Sequence, residues 1–266
     1  MNILVCIKQV PNTMEIKIDP IKNTLIRAGV PSIVNPFDAY ALEVAARIKD
    51  SKPDTIITVL SMGPEQAKQA LKECMAVGAD KAFLVSDRAF GGADTLATSY
   101  TLAATIRKLE QEEGPFDVIF CGKQAIDGDT AQVGPEIAEH LGIPQITYAI
   151  EATMAEDEVI VKRETNEGFE VVAVKIPCLI TVTKPQFEPR FPTIKSKLKA
   201  NRTEIPVIAC SDISVDVNLI GLKGSPTKVK KTFTPPQKKG GIIIAEATNL
   251  ESTEKLYKLL NDANII

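Results

Sequence analysis

The sequence has no tryptophan and a single histidine, and these two shortages exclude whole classes of functional site. With only His140, the chain has little material for a Ser-His-Asp triad or a multi-histidine metal centre. His140 also falls near the end of a predicted helix, where an exposed or capping role is more common than catalysis. Because aromatic residues make up only 5% of the chain, a platform that stacks single-stranded nucleic acid is not expected either.

Disulfide, membrane and nucleic-acid signals are also missing. None of the five cysteines forms a CxxC pair, and most sit in apolar runs, which predicts free thiols in a reducing compartment. The first apolar run turns polar after seven residues, and no run of about 18 apolar residues follows it. A net charge of −3 gives no general reason to expect nucleic-acid binding. We therefore expect a soluble cytoplasmic protein with no membrane span and no nucleic-acid partner.

What the first 142 residues do contain is a regular alternation of apolar runs and helical patterns. Branched apolar runs predict strands over 3–7, 54–62, 81–87 and 116–122. Apolar periodicity, turn residues and caps predict helices over 35–49, 63–78, 92–114 and 130–142. Strands that alternate with helices predict an α/β fold: a doubly wound, mostly parallel sheet with helices on both faces.

The pattern changes after this alternation. Residues 146–183 form alternating segments with turn-like breaks, which predicts an antiparallel extension of the sheet. A loop with a small hairpin is predicted within 11–26. Residues 221–241 are rich in Gly, Pro and Lys and predict an extended arm, and an amphipathic helix is predicted over 249–266.

This organisation suggests two parts. The predicted α/β domain covers residues 1–200 and includes a basic, proline-broken segment at 188–199. The predicted C-terminal arm and helix cover residues 201–266 and are expected to pack on a partner.

The stretch "GKQAIDGDTAQVGP" (122–135) has the context of an anion-binding turn: strand, glycine, loop, helix. It carries neither the GxGxxG nor the GxxxxGK[ST] motif, so the standard dinucleotide and P-loop fingerprints do not apply. Asp129 with Gln132 fits a helix-capping box, and Asp127 could stabilise a turn at Gly128. The expected donors to a pyrophosphate are the Thr130 hydroxyl and the backbone N–H groups of Gly128, Thr130, Ala131, Gln132 and Val133.

Capping and binding can hold together, because the carboxylates would shape the loop while backbone donors bind the anion. Three further loops should reach the same sheet edge: Cys6–Val10, Asn35–Asp38 and Ser61–Pro64. Ligands of open α/β sheets bind at the carboxyl ends of strands. Together, the four loops predict an adenine-nucleotide site.

These segments also carry a family resemblance. "VCIKQVP", "VNPFDAYALEVA", "LSMGPEQA", "GKQAIDGDTAQVGPEIA" and "VKRETNEGFEVVAVKIPCLITVT" resemble the beta (small) subunit of electron-transfer flavoproteins. One departure is Asn166, which stands where the family pattern usually has an acidic residue. The resemblance implies that the following residues line the nucleotide: Cys6, Asn35, Pro36, Phe37, Asp38, Met62, Gly122, Lys123, Gln124, Ala125, Ile126, Asp127, Gly128, Asp129, Thr130, Ala131, Gln132 and Val133.

The resemblance further implies an obligate heterodimer with an alpha subunit that carries an FAD. In one branch of the family the beta site holds AMP, and in an electron-bifurcating branch it holds a second FAD. "DGDTAQVGP" and "RAFGGADTLATSY" (88–100) resemble the bifurcating branch, so FAD is favoured over AMP. NADH would be the electron donor, and ferredoxin or flavodoxin and a flavin-dependent dehydrogenase of acyl-CoA or lactate type would be the acceptors. No catalytic residue and no metal ligand is expected.

Segment "EPRFPTIKSKLK" (188–199) resembles the family's partner-docking loop. Ile194 falls at the position of the apolar anchor, and the flanking cations would steer an acidic patch of the partner. The docking residues that this implies are Arg190, Ile194, Lys195, Lys197 and Lys199. The alternative from the residues alone is a solvated basic helix whose Ile194 packs on its own domain. For the function of the whole chain, the alternative to an electron-transfer subunit is a nucleotide-sensing regulatory module of similar fold.

Overall fold

The computed structural model describes residues 1–12, 31–230 and 240–266. Most of the segment in which a hairpin was predicted, 11–26, lies outside these described residues, as does the part of the predicted arm at 231–239. Within the described residues, Gln9–Pro11 (β2) pairs antiparallel with Ser32–Val34 (β3) as a small separate ladder.

Nine strands of the described residues form the main sheet: β1 (Asn2–Cys6), β4 (Ile56–Met62), β5 (Lys81–Val85), β6 (Val118–Gly122), β7 (Gln145–Ala155), β8 (Glu158–Thr165), β9 (Gly168–Lys175), β10 (Cys178–Val182) and β11 (Val207–Ile208). Their order in the sheet is β11-β5-β4-β1-β6-β10-β7-β8-β9. Every neighbouring pair from β11 to β7 is parallel, and β7, β8 and β9 are antiparallel. The predicted fold class is therefore confirmed.

The helices follow the predicted order with shifted boundaries. They are α1 (Pro36–Ser51), α2 (Lys68–Val77), α3 (Thr95–Glu113), α4 (Val133–Leu141), α5 (Ile194–Arg202) and α6 (Asn249–Asp262). The predicted helix 63–78 opens as a 3₁₀ turn at Glu65–Ala67 before α2 begins. Among the described residues, no helix has the length and apolar character needed to cross a membrane.

Helices cover both faces of the sheet because the strand side chains alternate between two apolar clusters. On β1, Ile3 and Val5 belong to the cluster that packs against α1 and α2, whereas Leu4 faces the opposite cluster. The opposite cluster contains Ile106 of α3 and Ile137 of α4. Burial on both faces explains why the central strands are apolar without alternation.

The connections create a switch point in the middle of the sheet. From β1 the chain moves outward through β4 and β5 on one side, and it then returns to place β6 on the other side of β1. The loops that follow β1 and β6 therefore diverge to opposite sides. A crevice opens at such a point beyond the carboxyl ends of the strands, which is where open α/β sheets bind ligands.

One part of the predicted antiparallel extension runs differently. Residues 146–183 were expected to be antiparallel throughout, but β10 inserts between β6 and β7 and is parallel to both. All five β10 residues are buried, as expected for a central parallel strand. The antiparallel part is therefore confined to the β7–β8–β9 meander at one edge of the sheet.

The chain stays in contact with the α/β core beyond residue 200. β11 extends the sheet next to β5, and Ile213 and Ile220 pack into the cluster on the α3 and α4 face. Ser225 is also buried. The C-terminal arm therefore leaves the α/β core after Ser225, and not at residue 201, where the predicted division into two parts placed its start. In contrast, α6 has no buried residue.

Gly134→Ala should destabilise the fold, because α4 approaches β10 closely at this glycine. A Cβ at Gly134 would lie 2.7 Å from Cγ2 of Thr181, a buried and β-branched side chain that cannot move away easily. We expect the free energy of unfolding to fall by about 1–3 kcal/mol in denaturant titrations, even though alanine favours helix. Gly128→Ala is the matched control, since its Cβ would meet nothing within 4 Å. Equal stabilities of the two variants would contradict this packing.

Candidate functional site

Asn35, just before α1, connects the chain segments that follow β1 and β6. Its side chain is almost fully buried, at 1% exposure. The amide Nδ2 donates to the carbonyl of Gln124 at 2.8 Å, and Oδ1 accepts from the backbone N–H of Ile126 at 3.1 Å. The Asn35 backbone N–H donates to the carbonyl of Lys8 at 2.9 Å. One residue thereby holds both loops at the switch point.

Asp38, one turn later, makes a second connection between the same loops. Its carboxylate accepts from the backbone N–H of Lys8 at 2.6 Å and of Gly122 at 3.1 Å. Burial raises the pKa of Asp38 to about 7, although these hydrogen bonds and the charge of Lys8 act in the opposite direction. The carboxyl group is therefore partly protonated near neutral pH.

Gly122 is required at the end of β6 because α1 begins directly against it. A Cβ at this position would lie 2.3 Å from Oδ1 of Asp38 and 2.7 Å from the backbone of Phe37. Any side chain would push the first turn of α1 away from β6. The glycine thus allows the close approach on which the Asp38 hydrogen bond depends.

The turn after β6 closes on the carbonyl of Ala125. The backbone N–H groups of Gly128 and Asp129 both donate to it, at 3.3 and 2.9 Å. The prediction that the Gly128 N–H is free to bind a ligand is therefore wrong. Asp129 and Ala131 have φ values of 53°, a left-handed conformation of the kind found in loops whose successive N–H groups converge on an anion.

The predicted capping role of Asp129 is also wrong. Helix α4 begins at Val133, its N-cap is Gln132, and no side chain caps it. Asp129 instead accepts a hydrogen bond from Nε2 of Gln124 at 2.7 Å. The reason is the left-handed conformation at Asp129 and Ala131, which delays the helix by three residues relative to the predicted start at 130.

Asp127 forms an ion pair with Lys8 across the crevice. Nζ of Lys8 lies 2.6 Å from Oδ1 of Asp127. Lys8 was not among the predicted site residues, although a lysine directly after a buried strand that ends at the switch point was a usable signal. Because Asp127 is paired with Lys8 and Asp129 accepts from Gln124, both carboxylates of the turn are held by partners within the chain.

A row of backbone donors remains after these contacts are made. Within the described chain, the backbone N–H groups of residues 130–133 donate no hydrogen bond. They precede or open α4, whose N-terminal end carries a partial positive charge. Consecutive free N–H groups at a helix start form a site for an anion such as a phosphate.

The structure brings the predicted nucleotide residues of all four segments to one edge of the sheet. Pro36 and Phe37 form the first turn of α1, and both are half-buried. Cys6 and Met62 end the neighbouring strands β1 and β4 and are also half-buried. Lys123 lies with Nζ 5.0 Å from the ring centre of Tyr148, on β7. The grouping predicted from the sequence is thus present, although nucleotide contact stays a prediction.

Arg190, in the predicted docking segment, has a different role from the predicted one. Its guanidinium donates to Glu43 and Asp50 of α1, with distances between 2.7 and 3.2 Å. Burial would raise the pKa of Glu43, but hydrogen bonds from Arg190 outweigh it and hold that pKa below its usual value. Arg190 is therefore used to hold the segment on α1 and is not free to steer a partner.

The rest of this segment is exposed. Ile194 begins α5 and is 83% exposed, which excludes the alternative in which it packs on its own domain. Phe191, which the sequence interpretation missed, is 92% exposed. Lys195, Lys197 and Lys199 are exposed and form no ion pair within the described residues. A capping box formed by Thr193 and Ser196 orders the start of the helix.

Comparison with known proteins identifies the family of the chain. A family model described as the electron transfer flavoprotein domain matches residues 22–213. The chain belongs to the electron transfer flavoprotein family. It is 58% identical over 246 residues to the electron transfer flavoprotein subunit beta of Megasphaera elsdenii, covering 92% of this chain and 91% of that protein.

Two further relatives of the family are named as subunits of reductase systems. The chain is 47% identical over 266 residues to the caffeyl-CoA reductase-Etf complex subunit CarD of Acetobacterium woodii, covering 100% of both chains. It is 42% identical over 272 residues to the acryloyl-CoA reductase electron transfer subunit gamma of Anaerotignum propionicum, again over 100% of both. The predicted resemblance to the beta subunit of the family is confirmed.

Asp38→Asn should remove a pH dependence from the stability of this family member. The pKa of Asp38 is about 7 in the folded chain against a value of 3.8 for the ordinary carboxyl group. Between about pH 4 and pH 7 the folded chain holds a proton that the unfolded chain has released, so raising the pH favours unfolding. The difference in unfolding free energy between the natural chain and the variant should fall by at most about 1.4 kcal/mol per pH unit.

Denaturant titrations of both proteins from pH 4 to pH 8 measure this difference. It should decrease up to about pH 7 and then level off, because both states are ionised above the higher pKa. A difference that increases with pH would mean that the pKa of Asp38 is lowered in the folded chain. The hydrogen bonds from the backbone N–H groups of Lys8 and Gly122 would then have a larger effect on this pKa than burial has.

Proposed function

We propose that this chain is the nucleotide-binding beta subunit of an electron-bifurcating electron transfer flavoprotein and holds FAD in the crevice beyond β1 and β6. The observation that carries the proposal is the row of free backbone N–H groups at 130–133, at the switch point of a parallel sheet. An FAD diphosphate needs such donors, and no side chain of the described residues accepts a hydrogen bond from them.

The residues of the crevice fit a dinucleotide. The negative charges of the turn are already bound, Asp127 by Lys8 and Asp129 by Gln124, which lowers their repulsion of a phosphate. Gly128 presents no side chain, and the space where its Cβ would lie is open to at least 4 Å. A diphosphate could therefore approach the backbone closely.

FAD is favoured over AMP by the surroundings of the turn. Helix α3 begins next to α4, since the Thr95 hydroxyl donates to Oε1 of Glu136 at 3.2 Å. The segment 88–100, which resembles the bifurcating branch, thus borders the crevice. The names of two relatives, which place them in CoA-ester reductase systems, also support this branch.

A bound FAD would supply the redox chemistry, namely hydride acceptance from NADH and one-electron transfer toward ferredoxin or flavodoxin and, through the FAD of an alpha subunit, toward a dehydrogenase. The chain itself would bind the diphosphate through its backbone and hold the surrounding loops through Asn35 and Asp38. No side chain of the crevice is assigned an acid or base role.

The alpha subunit is the proposed partner of the arm and of α6. Helix α6 has no buried residue, and Leu250, Leu256 and Tyr257 are between 47% and 69% exposed. Apolar side chains in a capped, ordered helix need a surface to cover them. We therefore propose that α6 and the described residues of the arm, 226–230 and 240–248, pack on the alpha subunit, as the family resemblance implies. All five cysteines are free thiols, which supports the proposal that the heterodimer is located in the reducing cytoplasm.

The docking segment is proposed to receive a flavin-dependent dehydrogenase. Phe191, Ile194 and Leu198 are between 52% and 92% exposed and lie among lysines, which is the apolar centre and charged rim of a docking site. An acyl-CoA type of partner is favoured over a lactate type, because two relatives are named for acyl-CoA reductases.

A non-bifurcating carrier with AMP in the same crevice is the second candidate, because the same N–H groups would bind a single phosphate. A nucleotide-sensing module of another class would use the crevice without any flavin. The nucleotide content of the purified protein separates the three candidates.

The heterodimer should release two FAD per pair on denaturation. The chain should be co-expressed with its alpha subunit, and the released nucleotides should be quantified by chromatography and absorbance. One FAD with one AMP would select the non-bifurcating carrier, and absence of flavin from a complete pair would select the sensing module.

In the same experiment, Gly128→Val should lower nucleotide occupancy of the beta site at least tenfold. The valine fits the protein, because no atom lies within 4 Å of the new Cβ, so its effect would come from crowding the ligand. Gly134→Ala is unsuited to this purpose because it disturbs packing. Full occupancy in Gly128→Val would exclude the turn as the diphosphate site.

Ile194→Ala and Phe191→Ala should each slow electron transfer to the partner dehydrogenase about tenfold or more. Both remove an exposed apolar side chain that contributes little to the stability of the free chain, so the loss should appear in kcat/KM for the partner. Val217→Ala is the matched control, because Val217 is 60% exposed and lies outside the segment. Unchanged kinetics in both docking variants, with unchanged flavin content, would exclude this surface.

A further inference from the structure

We propose that Asn35 and Asp38 are positioning residues that set the affinity of the crevice for its nucleotide by holding the anion-binding turn in place without touching the ligand. This inference deepens the proposed nucleotide site and rests on it. It also revises the resemblance, which placed both side chains among the nucleotide contacts.

The first step is that Asn35 has no polar atom left for a ligand. It is 1% exposed, and both its Nδ2 and its Oδ1 bond to the backbone between Gln124 and Ile126. Asn35 is the N-cap residue of α1, yet its side chain makes no capping hydrogen bond. The carboxamide is therefore used for the turn instead of the helix that it precedes.

The second step is that Asp38 holds the two ends of the crevice together. The same carboxylate accepts from the N–H of Lys8, after β1, and from the N–H of Gly122, at the end of β6. It is 6% exposed, so a ligand in the crevice cannot reach it. With Asn35, it connects the start of α1 to the turn at three backbone positions.

The third step links these contacts to the charge of the turn. Because Asp38 holds the backbone of Lys8, the ammonium group of Lys8 is placed where it meets Asp127 at 2.6 Å. Loss of the Asp38 contact would free Lys8, and Asp127 would then face an incoming phosphate without its cation. Order of the backbone and neutralisation of charge thus depend on the same two side chains.

Hydrogen exchange of the backbone amides in residues 122–133 tests the inference without requiring a bound nucleotide. The full chain, co-purified with its alpha subunit and freed of nucleotide, would be compared with Asn35→Ala and Asp38→Asn. Asn35→Ala loses both side-chain hydrogen bonds to the turn, and Asp38→Asn keeps one acceptor oxygen for the two N–H groups of Lys8 and Gly122. Exchange in this segment should therefore rise about tenfold or more. Affinity for added FAD, or for AMP as a second probe, should fall by a similar factor.

Two controls separate positioning from a general loss of stability. Thr55→Ala removes a buried hydroxyl that has no hydrogen-bond partner among the described residues, at the opposite end of β4 from the crevice. Ile106→Val removes a methylene group from the core of α3 and should lower the unfolding midpoint. Both should leave the exchange of residues 122–133 and the nucleotide affinity unchanged.

Two results would overturn the inference. Exchange that stays unchanged in Asn35→Ala and Asp38→Asn would show that the turn does not depend on them. Affinity that falls while exchange stays unchanged would show that the side chains contact the nucleotide directly. If the natural heterodimer binds neither FAD nor AMP, the proposed function fails, whereas the exchange measurement still decides whether the two residues hold the turn.

Discussion

The hydrogen bonds at the start of α1 are the constraint on which the crevice depends. The sheet alone brings the ends of β1 and β6 side by side, but their following loops diverge at the switch point. Asn35 and Asp38 bridge that divergence through four contacts to the backbone. The contacts require α1 to begin directly against β6, which is possible because Gly122 has no side chain. Backbone donors can then be aimed into the crevice, while the nearby carboxylates of Asp127 and Asp129 are held by Lys8 and Gln124.

Charge is used in this chain to hold segments in position. Asp127 holds Lys8, Asp129 holds Gln124, and Arg190 joins the docking segment to Glu43 and Asp50. The groups left over for other molecules are backbone N–H groups in the crevice and apolar side chains with lysines on the docking segment. This division suits a protein whose redox chemistry would reside in a cofactor, because the chain needs to supply position and a suitable electrostatic environment.

Two surfaces of the chain are ordered but uncovered. Phe191 and Ile194 stand on a segment that ion pairs and a capping box hold in place, and α6 is capped by Thr248 and Glu251 while exposing its leucines. Apolar side chains presented on ordered backbone lose little conformational entropy when a partner covers them. Membership of a family whose beta subunits pair with other chains accounts for such surfaces on this chain.

The sequence by itself determined the order of strands and helices to Gly142, the α/β class, the family and the segments that meet at the sheet edge. These follow from local periodicity, turn residues and motifs. Only the tertiary structure decided that β10 is a parallel central strand, that Asp129 does not cap α4, and that Lys8 and Arg190 pair within the chain. The strand order and the ion pairs depend on residues that lie far apart in the sequence. The start of α4 depends on a left-handed backbone at Asp129 and Ala131, which these residue types do not predict. The local sequence pattern predicts which segments are apolar. The partner of a charged or polar group is determined by the packing that brings distant segments together.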